Sequence, residues 1–404
     1  MSQRLLIGLS SGSGLGGIDA ALVRVEGIGL EMTVHLERLA HQPHSREVRD
    51  LLRAAATNVA MPVRTVALLH RVLGDSFANA VRQLLDDAKL DSRGITCIGC
   101  SGHTLWHEPD GRFPTTLNAG VASAVAERTG LTTLTDPRSA DVVAGGHGAL
   151  VTALADWLLF RSETEPRLLI HLGGAAALVA LPAACRAKQV IGFHAAPCGM
   201  LLDGFMRHLT GGRESFDSFG KHAVQGCCIE PQLERWLAHP LLHRKPPKIV
   251  AARDFGEEFI AQAAQWARQM DRSLHDLLCT ATHFVARATV EALRRFVPWP
   301  PDRVLVSGGG VHNGFLWRLL EQQLAPLRLE KTDACGVPCQ GRKAMAFAAL
   351  AALTLDAAPG NLPAVTGASG ARLLGSITPG NPANWSACVA WMARQTTMPR
   401  LAAA

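Results

Sequence analysis

The sequence predicts an α/β layered chain built from two related halves, and three observations carry that prediction. Short apolar strands alternate with stretches of helical periodicity from the start of the chain through residue 172. The opening Leu5-Leu6-Ile7-Gly8-Leu9, its glycine turn and Ala20-Ala21-Leu22-Val23 recur as Leu168-Leu169-Ile170-His171-Leu172, Gly173-Gly174 and Ala176-Ala177-Leu178-Val179. Such an internal repeat is the mark of a duplicated unit. The length of 404 residues also exceeds one ordinary domain of roughly 100–200 residues.

Taken in order, residues 5–9 read as a strand, 10–17 as a Gly/Ser-rich reversal, 18–25 as a second strand and 32–39 as a third. Leu51-Leu52 and residues 63–90 place apolar side chains three and four apart, the spacing of amphipathic helices. A strand over 95–98, a helix over 121–129, a strand over 132–134 and a helix over 150–160 lead into the second copy at 168–172. Both copies begin strand, glycine hairpin, strand. Glycine lets backbone N–H groups approach an anion closely, so two facing hairpins can grip a polyphosphate. A third cluster, Ser307-Gly308-Gly309-Gly310, follows a buried-type strand and precedes a helix starting near Asn313, again a phosphate-compatible arrangement.

Composition narrows the function further. Forty Lys plus Arg against 34 Asp plus Glu give +6, too dilute to argue for nucleic acid. The 48% apolar content excludes a disordered chain. The longest apolar run, residues 344–355, falls short of the roughly 18 residues of a membrane span. The opening residues lack the basic and apolar regions of a signal peptide, which predicts a cytoplasmic protein. The ten cysteines then read as thiols or ligands rather than cross-links. With no tyrosine in the chain, a tyrosyl acid, base or nucleophile is excluded.

Gly102-His103-Thr104-Leu105-Trp106-His107-Glu108-Pro109 and Pro359-Gly360-Asn361-Leu362-Pro363-Ala364-Val365-Thr366-Gly367-Ala368-Ser369, with segments 8–23, 129–151, 169–178, 192–203, 306–313 and 332–347 in register, resemble the anhydro-N-acetylmuramic acid kinase family. The resemblance implies an actin-like ATPase (ribonuclease H-like) fold, a two-domain clamshell with a duplicated βββαβαβα core. Domains are expected at 1–140 and 141–355, with 356–404 packing near the hinge. It implies a homodimer, ATP as cofactor, and an amino sugar or nucleotide as partner, in peptidoglycan recycling. Enzymes of this family use ATP and water to open the 1,6-anhydro ring of a muramic sugar while phosphorylating its 6-oxygen. That chemistry needs a general base, a phosphate loop, and acids that hold a metal.

The resemblance places Gly12, Ser13, Gly14, Gly17, Asp19, Gly173, Gly174, Gly308, Gly309, Gly310 and Asn313 at the nucleotide, and Arg138, Asp203 and position 194 at the catalytic centre. The chain departs from the family where acids are needed. The loop aspartate is Gly16, the base aspartate is His194, two acids near the C-terminal motif are Gln340 and Gly341, and the glutamate after them is Lys343. Mg²⁺ therefore loses ligands, whereas a bare anion meets less repulsion. Other replacements introduce soft ligands: His171, His194, Cys198 and Cys339, with Cys335 close by, besides His103 and His147. Three readings follow: a pseudokinase that keeps the clamshell, an active sugar kinase with His194 as base, or a protein binding Zn, Cu or Fe through these residues. Cys97-Ile98-Gly99-Cys100 lies on a predicted strand and reads as structural.

Overall fold

The computed structural model describes residues 3–12, 14–57 and 60–397. Cα packing divides the chain into two compact units: Met1–Arg161 with Arg186–Lys188 and Cys335–Ala404, and Ser162–Cys185 with Gln189–Ala334.

In chain order the first stretch carries β1 (Gln3–Ser11), β2 (Gly17–Glu26), β3 (Thr33–Pro43), α1 (Arg46–Thr57), α2 (Val63–Ala88), β4 (Ile95–Cys100), β5 (His103–Glu108), β6 (Thr115–Ala119), α3 (Ala122–Thr129), β7 (Thr133–Thr135), α4 (Ser139–Val143) and α5 (Ala153–Phe160). The second unit carries β8 (Arg167–Leu172), β9 (Ala175–Leu181), β10 (Ile191–Pro197), α6 (Gly199–Thr210), α7 (Glu230–Leu237), α8 (Pro240–His243), α9 (Ala252–Phe255), α10 (Glu257–Gln269), α11 (Leu274–Phe296), β11 (Arg303–Ser307), α12 (Gly314–Leu324) and β12 (Leu329–Lys331). The chain closes with α13 (Arg342–Leu355), α14 (Pro363–Thr366), β13 (Ser376–Thr378) and α15 (Pro382–Thr397).

The duplication is visible in the strand orders. One sheet runs β13-β7-β4-β1-β2-β3 and the other β10-β9-β8-β11-β12. In each, three antiparallel strands are followed by parallel strands added on the far side of the first. With the intervening helices this is the βββαβαβα core of the actin-like fold, present twice.

The apolar run of β1 follows from burial on both faces, the condition that erases alternation. Ile7 and Leu9 join Leu69, Leu73, Phe77 and Val81 of α2 in one core cluster. Gly8, pointing the other way, lies under α13: a Cβ there would come within 1.8 Å of the Ala344 carbonyl oxygen. Gly8→Ala is therefore expected to cost at least about 1–3 kcal/mol by overpacking, read as a lowered midpoint in thermal or urea unfolding. An unchanged midpoint would contradict this packing.

The units do not follow the expected breaks after 140 and after 355. Helix α13 lies across β1, β2 and β4, so it belongs with the first unit although it follows the second in sequence. The C-terminal segment joins the same unit: β13 pairs with β7, and Trp391 of α15 donates to Asp356 Oδ1 (2.8 Å). Asp356 also holds the buried Arg4 guanidinium (2.6 and 2.9 Å), which lies 4.2 Å from the Trp391 ring centre. These are long-range pairings, and local periodicity does not encode them.

Candidate functional site

In the first unit the reversal after β1 leaves its backbone exposed. Gly12, Gly14 and Gly16 are open, with no atom within 4 Å of the place a Cβ would take, and Leu15 adopts a left-handed φ of 55°. Gly17 has a different cause: its Cβ would meet the Gln42 carbonyl oxygen at 2.2 Å, so glycine here lets β2 and β3 close. Ser13, expected at the phosphate, lies outside the described residues.

Ser11, at the end of β1, places its hydroxyl between His103 Nδ1 (2.9 Å) and His44 Nε2 (3.2 Å). Both rings are more than nine-tenths buried. Burial, helped by the charges of His44 and Arg138, pushes His103 down to about 4, and burial also lowers His44. The histidines are thus neutral at pH 7, and the single hydroxyl proton can go to only one of them. His107 is likewise pushed down to about 4, by burial and then Arg138. An unfolded histidine takes up a proton near pH 6.5, so between that pH and about 4 the unfolded chain holds more protons. This contribution to stability is present above pH 6.5 and is lost as pH falls toward 4. The urea midpoint should fall over this window, and His103→Gln should shrink the fall. Identical pH dependence in wild type and variant would refute the neutral buried imidazole.

Asp19 accepts from His41 Nδ1 (2.7 Å) and from Gln340 Nε2 (2.9 Å), so this carboxylate is engaged by both neighbours. Lys343, in the first turn of α13, is brought down to about 8 by burial and by Arg138 and Arg342, against the opposing pull of Asp156 and Asp19. Arg342 and Asp156 form a buried ion pair. The acid positions expected to bind Mg²⁺ thus hold a glycine, an amide, another glycine and an ammonium. This donor set does not fit Mg²⁺, whose ligands are carboxylate and water oxygens.

Two sequence motifs meet at Asp141, which is fully buried. Its Oδ1 accepts from Asn361 Nδ2 and Thr366 Oγ1 (2.7 Å each), and its Oδ2 accepts from Gly148 N–H (2.9 Å). The carboxylate therefore joins the loop before α5 to the segment around α14.

In the second unit the hairpin of Gly173 and Gly174 receives the start of α6. The N–H groups of Cys198 and Met200 donate to the Gly174 carbonyl (3.0 and 2.9 Å), and that of Gly199 to Gly173 (2.9 Å). Gly308, at φ 90°, lies against the same hairpin: its Cβ would be 2.5 Å from the Leu172 carbonyl oxygen. Gly310 also abuts Leu172, while Gly309 is open. Asn313 caps α12, its side-chain oxygen accepting from Leu316 N–H (3.0 Å). Its amide oxygen is engaged in the fold. Asp203 of α6 is raised to about 7 by burial, partly offset by Arg207. A Cβ on Gly199 would lie 3.5 Å from Asp203 Oδ2, which places this carboxyl beside the hairpin.

His194, which the resemblance places at the base, has its Nδ1 occupied. Val250 N–H donates to it at 3.1 Å, while the His194 N–H donates to the Lys248 carbonyl (3.1 Å). An amide can only donate, so Nδ1 carries no proton and the neutral ring is protonated at Nε2.

The transition-metal expectation needs correction. Among the described residues no three His, Cys, Asp or Glu side chains converge on a metal site. His171 Nδ1 bonds Ser307 Oγ (3.0 Å), and the Cys198 thiol, buried beside Asp203, is pushed up to about 12. Cys335 and Cys339 belong to the other compact unit. Cys97 and Cys100 are buried on β4, as a structural role requires. Sequence reasoning missed His41 and His44, which lie at and just beyond the end of β3, outside any motif.

The profile of the family described as anhydro-N-acetylmuramic acid kinase matches residues 4–380. A relative of that name from Gloeobacter violaceus is 37% identical over 94% of this chain and 100% of its own length. One from Cyanothece is 35% identical over 92% of this chain and 98% of its own. Among solved structures, the activator of 2-hydroxyisocaproyl-CoA dehydratase from Clostridium difficile is similar at 11% identity and TM-score 0.43, over 86% of this chain and 94% of that one. A glucokinase from Streptomyces griseus is similar at 12% and 0.35, over 86% and 98%. These structural likenesses are too distant to bear on the site. Profile and relatives span almost the whole chain, motifs in register, and the chain belongs to the anhydro-N-acetylmuramic acid kinase family.

Proposed function

We infer that this chain is a pseudokinase of its family: a protein that keeps the amino-sugar and nucleotide framework without efficient phosphoryl transfer. The observation that carries the reading is the state of His194. Ring opening needs a base that takes a proton from water as it attacks the sugar. The Nδ1 lone pair is already given to Val250 N–H, and Nε2 of the neutral ring is a donor. The residue in the base position therefore lacks an accepting lone pair.

The altered acids point the same way. ATP would supply the phosphoryl group, and the open glycines of the first loop suit a phosphate. The groups that would hold the metal and balance the developing charge are Gly16, Gln340, Gly341 and Lys343. A second reading, an active sugar kinase with His194 as the expected base, gains a further candidate in Asp203, whose carboxyl burial raises to about 7.

Calorimetric titration with the 1,6-anhydro muramic sugar and with ATP, beside a coupled turnover assay, tests the proposal. Heat of binding without turnover is the expected result. Turnover equal to that of the Gloeobacter violaceus relative overturns it, and a rate rising with a single pKa near 7, abolished by Asp203→Asn, establishes the second reading.

A further inference from the structure

We propose that Arg138, Lys343, His107 and His147 form a metal-independent site for a phosphate group, so that the altered kinase centre holds an anion rather than a Mg²⁺-bound one. The proposal deepens the reading above by naming the ligand chemistry of a site that no longer suits the metal.

The geometry begins at Gly148, whose φ of 60° favours glycine. The place of a Cβ on it is 3.5 Å from Arg138 Cβ and 3.6 Å from His107 Cε1, so the missing side chain brings these two residues together. The His107 ring has both nitrogens buried without a hydrogen-bond partner among the described residues, and so has His147 Nε2. The rings lean toward the carbonyls of His147 and Val365, but neither closes to a hydrogen bond. His147 Nδ1 accepts from Ala149 N–H (3.4 Å), which leaves the proton of the neutral ring on the unpartnered Nε2. A buried donor without an acceptor costs about 1–3 kcal/mol unless something bonds it.

Two cations complete the group. Burial first, and then the charge of Arg138, lower the Lys343 ammonium, while Arg138 is itself buried with Asp136 as its opposing charge. Five carboxylates act on the group: Asp110 and Asp141 on the histidines, and Asp156, Asp19 and Asp136 on the cations; Asp141 accepts from Asn361, Thr366 and Gly148. Asp156 is paired with Arg342, Asp19 accepts from His41 and Gln340, and Asp136 Oδ1 accepts from Ser139 N–H (3.3 Å) and Asn118 Nδ2 (3.5 Å). Beside those carboxylates the group presents a set of donors: a guanidinium, an ammonium and imidazole N–H groups. Lys343 also sits in the first turn of α13, at the positive end of the helix dipole. A phosphate, with several acceptor oxygens and more than one charge, matches that set.

The test is calorimetry on the full chain in EDTA, with inorganic phosphate, glucose 6-phosphate and ATP titrated separately, then repeated with Mg²⁺. The three ligands distinguish free phosphate from an ester or a nucleotide. Saturable binding in EDTA that Mg²⁺ does not strengthen is expected. Lys343→Met and Arg138→Gln should each weaken it about 10–100-fold, the loss of one charged hydrogen bond, while Arg93→Ala, which removes an exposed charge elsewhere, should leave it unchanged. If Arg138→Gln fails to fold, Lys343→Met decides alone. Binding that requires Mg²⁺, no binding of any of the three, or Lys343→Met binding like wild type overturns the site. The turnover assay separates the two proposals: anion binding with full turnover refutes the pseudokinase and leaves this site standing, whereas no binding and no turnover does the reverse.

Discussion

With ATP, Mg²⁺ and the 1,6-anhydro muramic sugar supplied, this chain should turn over about 10²–10⁴-fold more slowly than its Gloeobacter violaceus relative, the range lost when general-base catalysis is removed. The triple variant His194→Asp, Gly16→Asp, Lys343→Glu should recover at least about tenfold of that deficit. A carboxylate at 194 can accept the Val250 N–H that Nδ1 accepts now, and its second oxygen keeps a lone pair for water. No atom lies within 4 Å of a Cβ on Gly16. A glutamate at 343 would face Arg138 and Arg342 in place of an ammonium that they repel. Wild-type turnover at the level of the relative, measured under the same conditions, would end the proposal. A triple variant that folds, binds both substrates and remains at the wild-type rate would show that the deficit lies elsewhere.

Asp141→Ala should destabilise the protein by about 3–5 kcal/mol, because it orphans a buried network rather than trimming a surface contact. Three donors lose their acceptor together: Asn361 Nδ2, Thr366 Oγ1 and Gly148 N–H. Each unsatisfied buried group costs about 1–3 kcal/mol. Asp141→Asn, which keeps the shape and one acceptor, should lose less. Urea unfolding of both variants against wild type is the measurement, and a loss below about 1 kcal/mol for Asp141→Ala would show that water replaces the carboxylate. Since Gly148 carries the approach of Arg138 to His107, the same variant should also weaken phosphate binding at temperatures where it remains folded.

By itself the sequence determined the elements and their duplication. Strand and helix periods are local, so Leu5-Leu6-Ile7-Gly8-Leu9 and its copy at 168–172 announce the two sheets without any partner being known. The expectation that acids are replaced at 16, 194, 340, 341 and 343 comes likewise from the resemblance of short motifs in register. The tertiary structure decided which lone pairs and charges are already committed. The Nδ1 of His194 is taken by an amide 56 residues away, the Ser11 hydroxyl by rings 33 and 92 residues away, and Asp19 by Gln340 across 321. It also carried α13 back to the first sheet, and among the described residues it brought no three His, Cys, Asp or Glu side chains together around a metal. A hydrogen bond is a property of two atoms within about 3 Å of each other, and spacing along the chain does not fix that distance once the chain has crossed between sheets.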